Sequence, residues 1–411
     1  MNAISRASAT GVESPHAWRR LAVALAISTV GGVGMWSVVV ALPAIQADFG
    51  VDRAAAAFPY TLAMLGFAGG GVVMGRLADR FGIAAPLLLG ALSLCIGYLG
   101  VGLAADLWQV AIAQGLIGFG CSATFGPLMA DISHWFSRRR GIAVAIAAAG
   151  NYLAGTVWPP LVQFFIGHDG WRATHIGIGL FVLTVMAPLI LLMRRQLEAG
   201  HSDHATVADA RRRAESPFSP TTLQVLLCIA GVACCVAMSM PQVHLVAYCG
   251  DLGYGAARGA EMLSLMLFCG IISRVASGFI ADRIGGVRTL LLGSILQGTA
   301  LLLYLPFDGL YSLYIISAMF GLFQGGIVPS YAIIVREYFS PAEAGTRVGL
   351  VLMATLLGMA LGGWMSGEIF DLTGSYQAAF LNGIGWNFLN VAIMTWLLLR
   401  SRQRTAPPLQ V

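Results

Sequence analysis

The chain predicts an all-α membrane protein. Three observations carry that reading: too few charges for a soluble surface, apolar residues gathered into bilayer-length blocks, and arginines concentrated in alternate connections. Of its 411 residues, 57% are hydrophobic and 10% charged. A soluble domain carries about 25% charged residues. A water-facing globule of this composition has too little polar surface to cover itself.

Crossing a bilayer as helix takes about 20 apolar residues. Twelve such blocks occur. The first six have cores at 21–43, 56–75, 83–104, 108–130, 141–166 and 173–193. The second six have cores at 223–248, 260–281, 287–305, 311–334, 346–370 and 378–399. Residues 1–18 are polar, and no cleavage pattern follows the first apolar run. That run is longer than a signal-peptide core, so it is read as a retained helix. The seven cysteines fall in or beside the blocks without metal or redox spacing and read as packing residues.

The net charge of +5 follows the membrane rather than a nucleic acid. There is no lysine. With the N-terminus placed in the cytoplasm, the inner segments receive most arginines, among them Arg19, Arg20, Arg76, Arg80, Arg139, Arg194, Arg283, Arg336 and Arg400. The outer loops receive Arg53, Arg172 and Arg258, with Asp48, Asp106, Asp251 and other aspartates. This bias predicts both termini in the cytoplasm. Arg274 is then the one arginine left inside a block.

The longest polar interruption, 193–220, divides the blocks six and six. Its charges and prolines read as a cytoplasmic linker, giving bundles at 1–193 and 223–411 with a linker at 194–222. The halves repeat at an offset of about 203 residues. "GRLADRFG" at 75–82 matches "GFIADRIG" at 278–285, Gly118 falls on Gly321, and "WFS" at 135–137 falls on "YFS" at 338–340. Two copies of a six-helix unit place a substrate site at mid-depth between them.

On these residues the sequence resembles the major facilitator superfamily, over essentially its whole length. The resemblance implies the major facilitator fold: twelve transmembrane helices in two pseudo-symmetric six-helix bundles. It also implies a conformational hinge at Gly75, Asp79, Arg80 and Gly82, echoed at Gly278, Asp282 and Arg283, whose aspartates meet a helix N-terminus and neighbouring charges. The family's further basic residues are replaced by "IAAP" in the first copy, and Arg288 partly supplies them in the second.

Several chemistries are disfavoured. A Walker-A loop needs a lysine, so nucleotide-driven transport is not expected. No HExxH, GxSxG or paired catalytic carboxylates occur. An enzyme, a cofactor, a metal site and a nucleic-acid partner are not expected. The partners expected are the lipid bilayer and a small organic anion, with protons as the simplest coupled ion.

Arg274 sits in "FCGIISRVASGFIAD", about 12 Å along the helix from Asp282. A snorkelling or structurally paired arginine is the plain alternative. A charge near the bilayer centre costs about 2.5–3.5 kcal/mol on insertion scales and tends to face a cavity. Arginine stays protonated and its fork matches a carboxylate. The repeat partner of Arg274 is Gly71, and Asp131, Glu261, Glu337, Glu368 and Asp371 all lie towards block ends. One visible cation suits a monoanion.

The stretch resembles the eighth helix of the monocarboxylate-transporter and oxalate/formate-antiporter-like branch, and "WFSRRRGIAVAIAAAGNYLAG" resembles its fifth. In that branch the eighth-helix arginine binds the substrate carboxylate, a role the resemblance implies for Arg274. Animal carriers of the branch have an acid where Gly270 stands and a lysine in the first helix, where this chain reads "ALPA". Oxalate exchangers carry a second cation in the eleventh helix, where this chain has "MATLLGMALGG". Proton coupling through those groups, and oxalate as substrate, are therefore disfavoured. Asn151, Tyr331, Gln324, Phe125 and His244 are further candidates for the cavity, each also explicable as packing or a satisfied polar group. The function expected is secondary transport of small organic monoanions, monocarboxylates first, across a bacterial inner membrane. The alternatives are efflux of drugs or amphipathic metabolites, and a non-transporting receptor.

Overall fold

A computed structural model of the chain describes residues 13–136, 139–194 and 219–403. Among the described residues the fold is entirely helical, with no strand. The helices are α1 (Pro15–Gly31), α2 (Val33–Phe49), α3 (Arg53–Phe81), α4 (Ala84–Gly102), α5 (Leu107–Ser122), α6 (Gly126–Trp135) and α7 (Arg140–Leu192). They continue as α8 (Pro220–Asp251), α9 (Ala256–Ile284), α10 (Gly286–Leu303), α11 (Leu310–Gln324), α12 (Ile327–Tyr338), α13 (Pro341–Thr373) and α14 (Tyr376–Gln403). Most of the expected linker lies outside the described residues.

Local chemistry sets the ends. Ser14 accepts the Ala17 N–H at 3.3 Å with Pro15 at the first helical position, an N-cap whose proline needs no hydrogen-bond partner. Asp106 caps α5 through the Gln109 N–H at 2.9 Å.

Among the described residues, ten stretches are long and apolar enough to cross a membrane. The longest, Gly141–Leu192, lies in α7, where Gly170 (φ 79°, ψ 162°) joins two helices across a kink. Counting α7 as two gives eleven. The last helix, α14, has 28 residues but carries Gln377, Asn382, Asn387 and Asn390, which lower its hydropathy, and it is not among the ten.

Three blocks expected to be single helices are broken. The first bends at Gly32, between α1 and α2. The fourth and tenth break at 123–125 and 325–326. Proline accounts for the latter two. Pro127 lacks the N–H that the Ala123 carbonyl would take, and Pro329 lacks the one that Gly325 would take. Beyond each break the ladder resumes, with Met129 N on Phe125 O at 3.0 Å and Ser330 N on Gly326 O at 3.3 Å.

The repeat is visible in the backbone. Gly50 (φ 61°) and Gly253 (φ 80°) both take a positive φ, as do Gly82 (φ 76°) and Gly285 (φ 84°). Each pair lies 203 residues apart. Gly82 and Gly285 also share a 2.8 Å hydrogen bond to an alanine carbonyl, Ala78 and Ala281.

By contacts the chain divides into two compact units. One is 1–201 with 243–268; the other is 202–242 with 269–411. Small residues let helices close up within each, as expected where lipid leaves packing as a main attraction. In the first unit a Cβ at Gly118 would lie 1.9 Å from the Ala63 carbonyl oxygen, and one at Gly70 would lie 2.6 Å from Ser122 Oγ. The second unit repeats the latter contact with the partners exchanged. Ser273 stands where Gly70 does, and a Cβ at Gly325 would lie 2.8 Å from Ser273 Cβ.

Candidate functional site

The break between α11 and α12 creates the setting of Arg274. Without an N–H at Pro329, the Gly325 carbonyl is open to a donor from elsewhere. Arg274 Nε donates to it at 3.4 Å. The approach is possible because Gly325 has no side chain: a Cβ there would lie 2.4 Å from the Gly270 carbonyl oxygen. Gly326 is pressed on Ser277 in the same way, at 2.2 Å. The half-buried Arg274 therefore stands where α9 crosses an interrupted helix. A Cβ at its counterpart Gly71 would meet nothing within 4 Å, so the equivalent place in the first repeat is also unobstructed.

Gln324, the last residue of α11, is fully buried. Its Oε1 accepts from Gln242 Nε2 of α8 at 2.9 Å. The remaining amide atoms, Gln242 Oε1 and Gln324 Nε2, are buried without a hydrogen-bond partner. Gln242 did not stand out in the sequence, because a lone glutamine in an apolar block carries no spacing signal.

Tyr331 is fully buried in a core cluster with Leu227, Cys234 and Ile334. Its hydroxyl accepts from Asn390 Nδ2 at 2.7 Å, and the same nitrogen reaches the Ala230 carbonyl at 2.8 Å. These bonds tie α8, α12 and α14 together.

Three candidates lie in the first unit. Phe125 occupies the α5–α6 break, half-buried, with its ring 6.1 Å from that of Phe67. Asn151 is half-buried on α7; its backbone carbonyl accepts from Trp36 Nε1 at 3.3 Å. Asn151 Oδ1 lies 3.6 Å from the Cβ position of Gly32, at the α1–α2 bend, and has no hydrogen-bond partner. His244 is fully buried on α8.

At the repeated loop, Asp79, Arg80, Asp282 and Arg283 are exposed. Nothing lies within 4 Å of a Cβ position at Gly75 or Gly278. The carboxylate on the first N–H of α10 is that of Glu337, which accepts from Gly286 N at 3.1 Å.

The expectation that Arg274 is the one arginine inside the helices is corrected. Arg20 lies in α1 and is 2% exposed. Its Nε and Nη2 each donate to Asp131 at 2.8 Å, and its guanidinium stacks 4.8 Å from the Trp135 ring. Arg53, expected in a loop, opens α3 at 7% exposure and pairs with Asp251. The physical reason is the same in both: a carboxylate distant in sequence accepts the fork.

A multi-pass helical membrane protein with two repeats, matched at paired positive-φ glycines, and with broken helices has the architecture of a transporter. The chain belongs to the Major Facilitator Superfamily, whose profile matches residues 24–310 and 262–410. It is similar to Monocarboxylate transporter 13 of Bos taurus, 29% identical over 318 residues, covering 76% of this chain and 73% of that protein. It is also similar to the MFS-type transporter pynF of Aspergillus niger, 25% identical over 343 residues, covering 82% and 76%. A bacterial homolog of the human lysosomal transporter Spinster, in an inward-facing and occupied conformation, superposes with a TM-score of 0.71. That structure is 14% identical and covers 96% of this chain and 100% of its own, so it shows the shared fold.

Proposed function

We propose that the chain is a secondary transporter of small organic monoanions, monocarboxylates first, working by alternating access of its two repeats. The observation that carries this is Arg274, a permanent cation half-buried against the α11–α12 break. Broken helices at mid-membrane are where such transporters place their ligands, because freed backbone groups and charges are tolerated only beside a cavity or protein. The fork of Arg274 suits one carboxylate. Similarity to monocarboxylate transporters supports the same substrate class.

Gln324 with Gln242, in the same unit as Arg274, are the polar groups we assign to the rest of the substrate, and Asn151 stays a separate candidate in the other unit through its open Oδ1. Proton symport is the simplest coupling, since a carboxylate and a proton can travel together. The arginine bias supports both termini cytoplasmic, and a bacterial inner membrane is the placement we propose with it. The hinge role stays with the repeated "ADR-x-G" loops. Counterflow of radiolabelled propionate in proteoliposomes tests the reading. Accumulation against preloaded propionate supports it, and no exchange with any short carboxylate overturns it.

A further inference from the structure

The second buried arginine points to a site beyond Arg274. Arg53 is 7% exposed and places both terminal nitrogens on the Asp251 carboxylate, each at 3.1 Å. Asp251, at the end of α8, keeps 37% of its side chain exposed. A cavity of about 480 Å³ lies beside the pair, walled by Pro43, Gln46, Ala47, Val51 and both charged residues. The space is large enough for an organic acid of a few carbons. Arg53 is the cation in its wall and Asp251 the anion.

Other contacts hold the same segment. Ser264 Oγ donates to the Thr156 carbonyl, and Leu267 fills the space beside Gly155. Residues 243–268 thus dock on the helices of the first repeat. Rocking of the repeats, on which the proposed function rests, requires this docking to release.

We propose that Arg53 is an entry site for the substrate carboxylate, and that the substrate displaces Asp251 from the same fork. Breaking the pair with nothing to replace Asp251 takes a carboxylate away from a buried guanidinium. Exchanging one carboxylate for another keeps that guanidinium paired. Arrival of a monocarboxylate therefore lowers the cost of releasing α8 and α9, whereas an empty recess keeps them docked. A ligand shifts such an equilibrium only by binding one state better, and here the fork accepts the substrate only when Asp251 has left. On the orientation proposed above, the recess faces outward.

The test is propionate influx into oriented proteoliposomes, with KM and maximal rate read separately from each side. The charge-exchanged pair, Arg53→Asp with Asp251→Arg, keeps the latch but moves the fork. It is expected to raise the external KM at least tenfold with the maximal influx rate within about twofold, and the efflux ratio of maximal rate to KM falls by the same factor because a carrier cannot shift the substrate's equilibrium. Arg53→Lys keeps the pair without the fork and is expected to raise the external KM several-fold, which covers the case in which the exchanged pair does not fold. An unchanged external KM in the folded variants, with wild type active, overturns the entry site alone. A wild type that moves no carboxylate overturns the function reading and, with it, a carboxylate as the recess ligand.

Discussion

Arg20 and Arg274 carry the same guanidinium in opposite settings. Arg20 is held by Asp131, with side-chain exposures of 1% and 15%. Arg274 meets a backbone carbonyl at a long 3.4 Å. Removing Arg20 alone strands a carboxylate inside the bundle, so Arg20→Ala is expected to cost about 3–5 kcal/mol. The double change Arg20→Met with Asp131→Leu should restore most of that, as read by melting temperature in detergent. Equal losses for the single and double variants would show that the pair is not what holds the site. Asn151 tests selectivity. Its Oδ1 lacks a partner beside Gly32, so a substrate hydroxyl that it accepts is worth about 0.5–1.5 kcal/mol. Asn151→Ala should therefore shift the preference for lactate over propionate by up to about tenfold. An unchanged ratio with a lowered melting temperature would assign Asn151 to packing. Arg274 was conspicuous in the sequence because a charge inside an apolar block has few explanations. Arg20 was not: it sits beside Arg19 at a block edge, and its partner is 111 residues away.

The helices explain why two glycines recur. Gly82 (φ 76°) and Gly285 (φ 84°) end and begin helices in a conformation that only glycine adopts without strain. Gly82→Ala and Gly285→Ala should each cost about 1–3 kcal/mol, whereas Gly75→Ala, with open space around its Cβ position, should be nearly neutral. Thermal melts of the three variants check this, and similar melts for all three would remove the conformational argument. In the same loop, Asp79→Asn should slow exchange between states more than it weakens equilibrium binding. Pre-steady-state exchange set against binding affinity separates the two, and lost binding with normal exchange would end the hinge assignment. The repeat of this loop was plain in the residues. The helix breaks were not expected, although Pro127 and Pro329 stand in the apolar runs, because a proline there is compatible with a continuous kinked helix. At 325–326 the break is accompanied by the close approach of α9 to Gly325 and Gly326, a tertiary contact that the sequence does not display.

At the scale of the whole molecule, membrane class and duplication follow from block length, arginine bias and motif offset. The grouping of 243–268 with the first repeat could not be read that way. It depends on which helix ends meet, and on pairs such as Arg53 and Asp251 that lie 198 residues apart. On the proposed reading, the broken helices give the duplicated scaffold a place for a ligand, and Arg274 gives that place a charge. If Arg274 serves the substrate, its loss should stop transport and spare the fold, because removing an intramembrane charge relieves an insertion cost. A structural arginine would take stability with it. The most direct measurement is therefore propionate counterflow by Arg274→Ala and Arg274→Lys in proteoliposomes, beside the melting temperature of each. The expected result is no counterflow for Arg274→Ala, little recovery for Arg274→Lys because an ammonium lacks the fork, and melting temperatures close to wild type. Normal counterflow by Arg274→Ala would contradict Arg274 as the carboxylate site, since the protein would then move the anion without it.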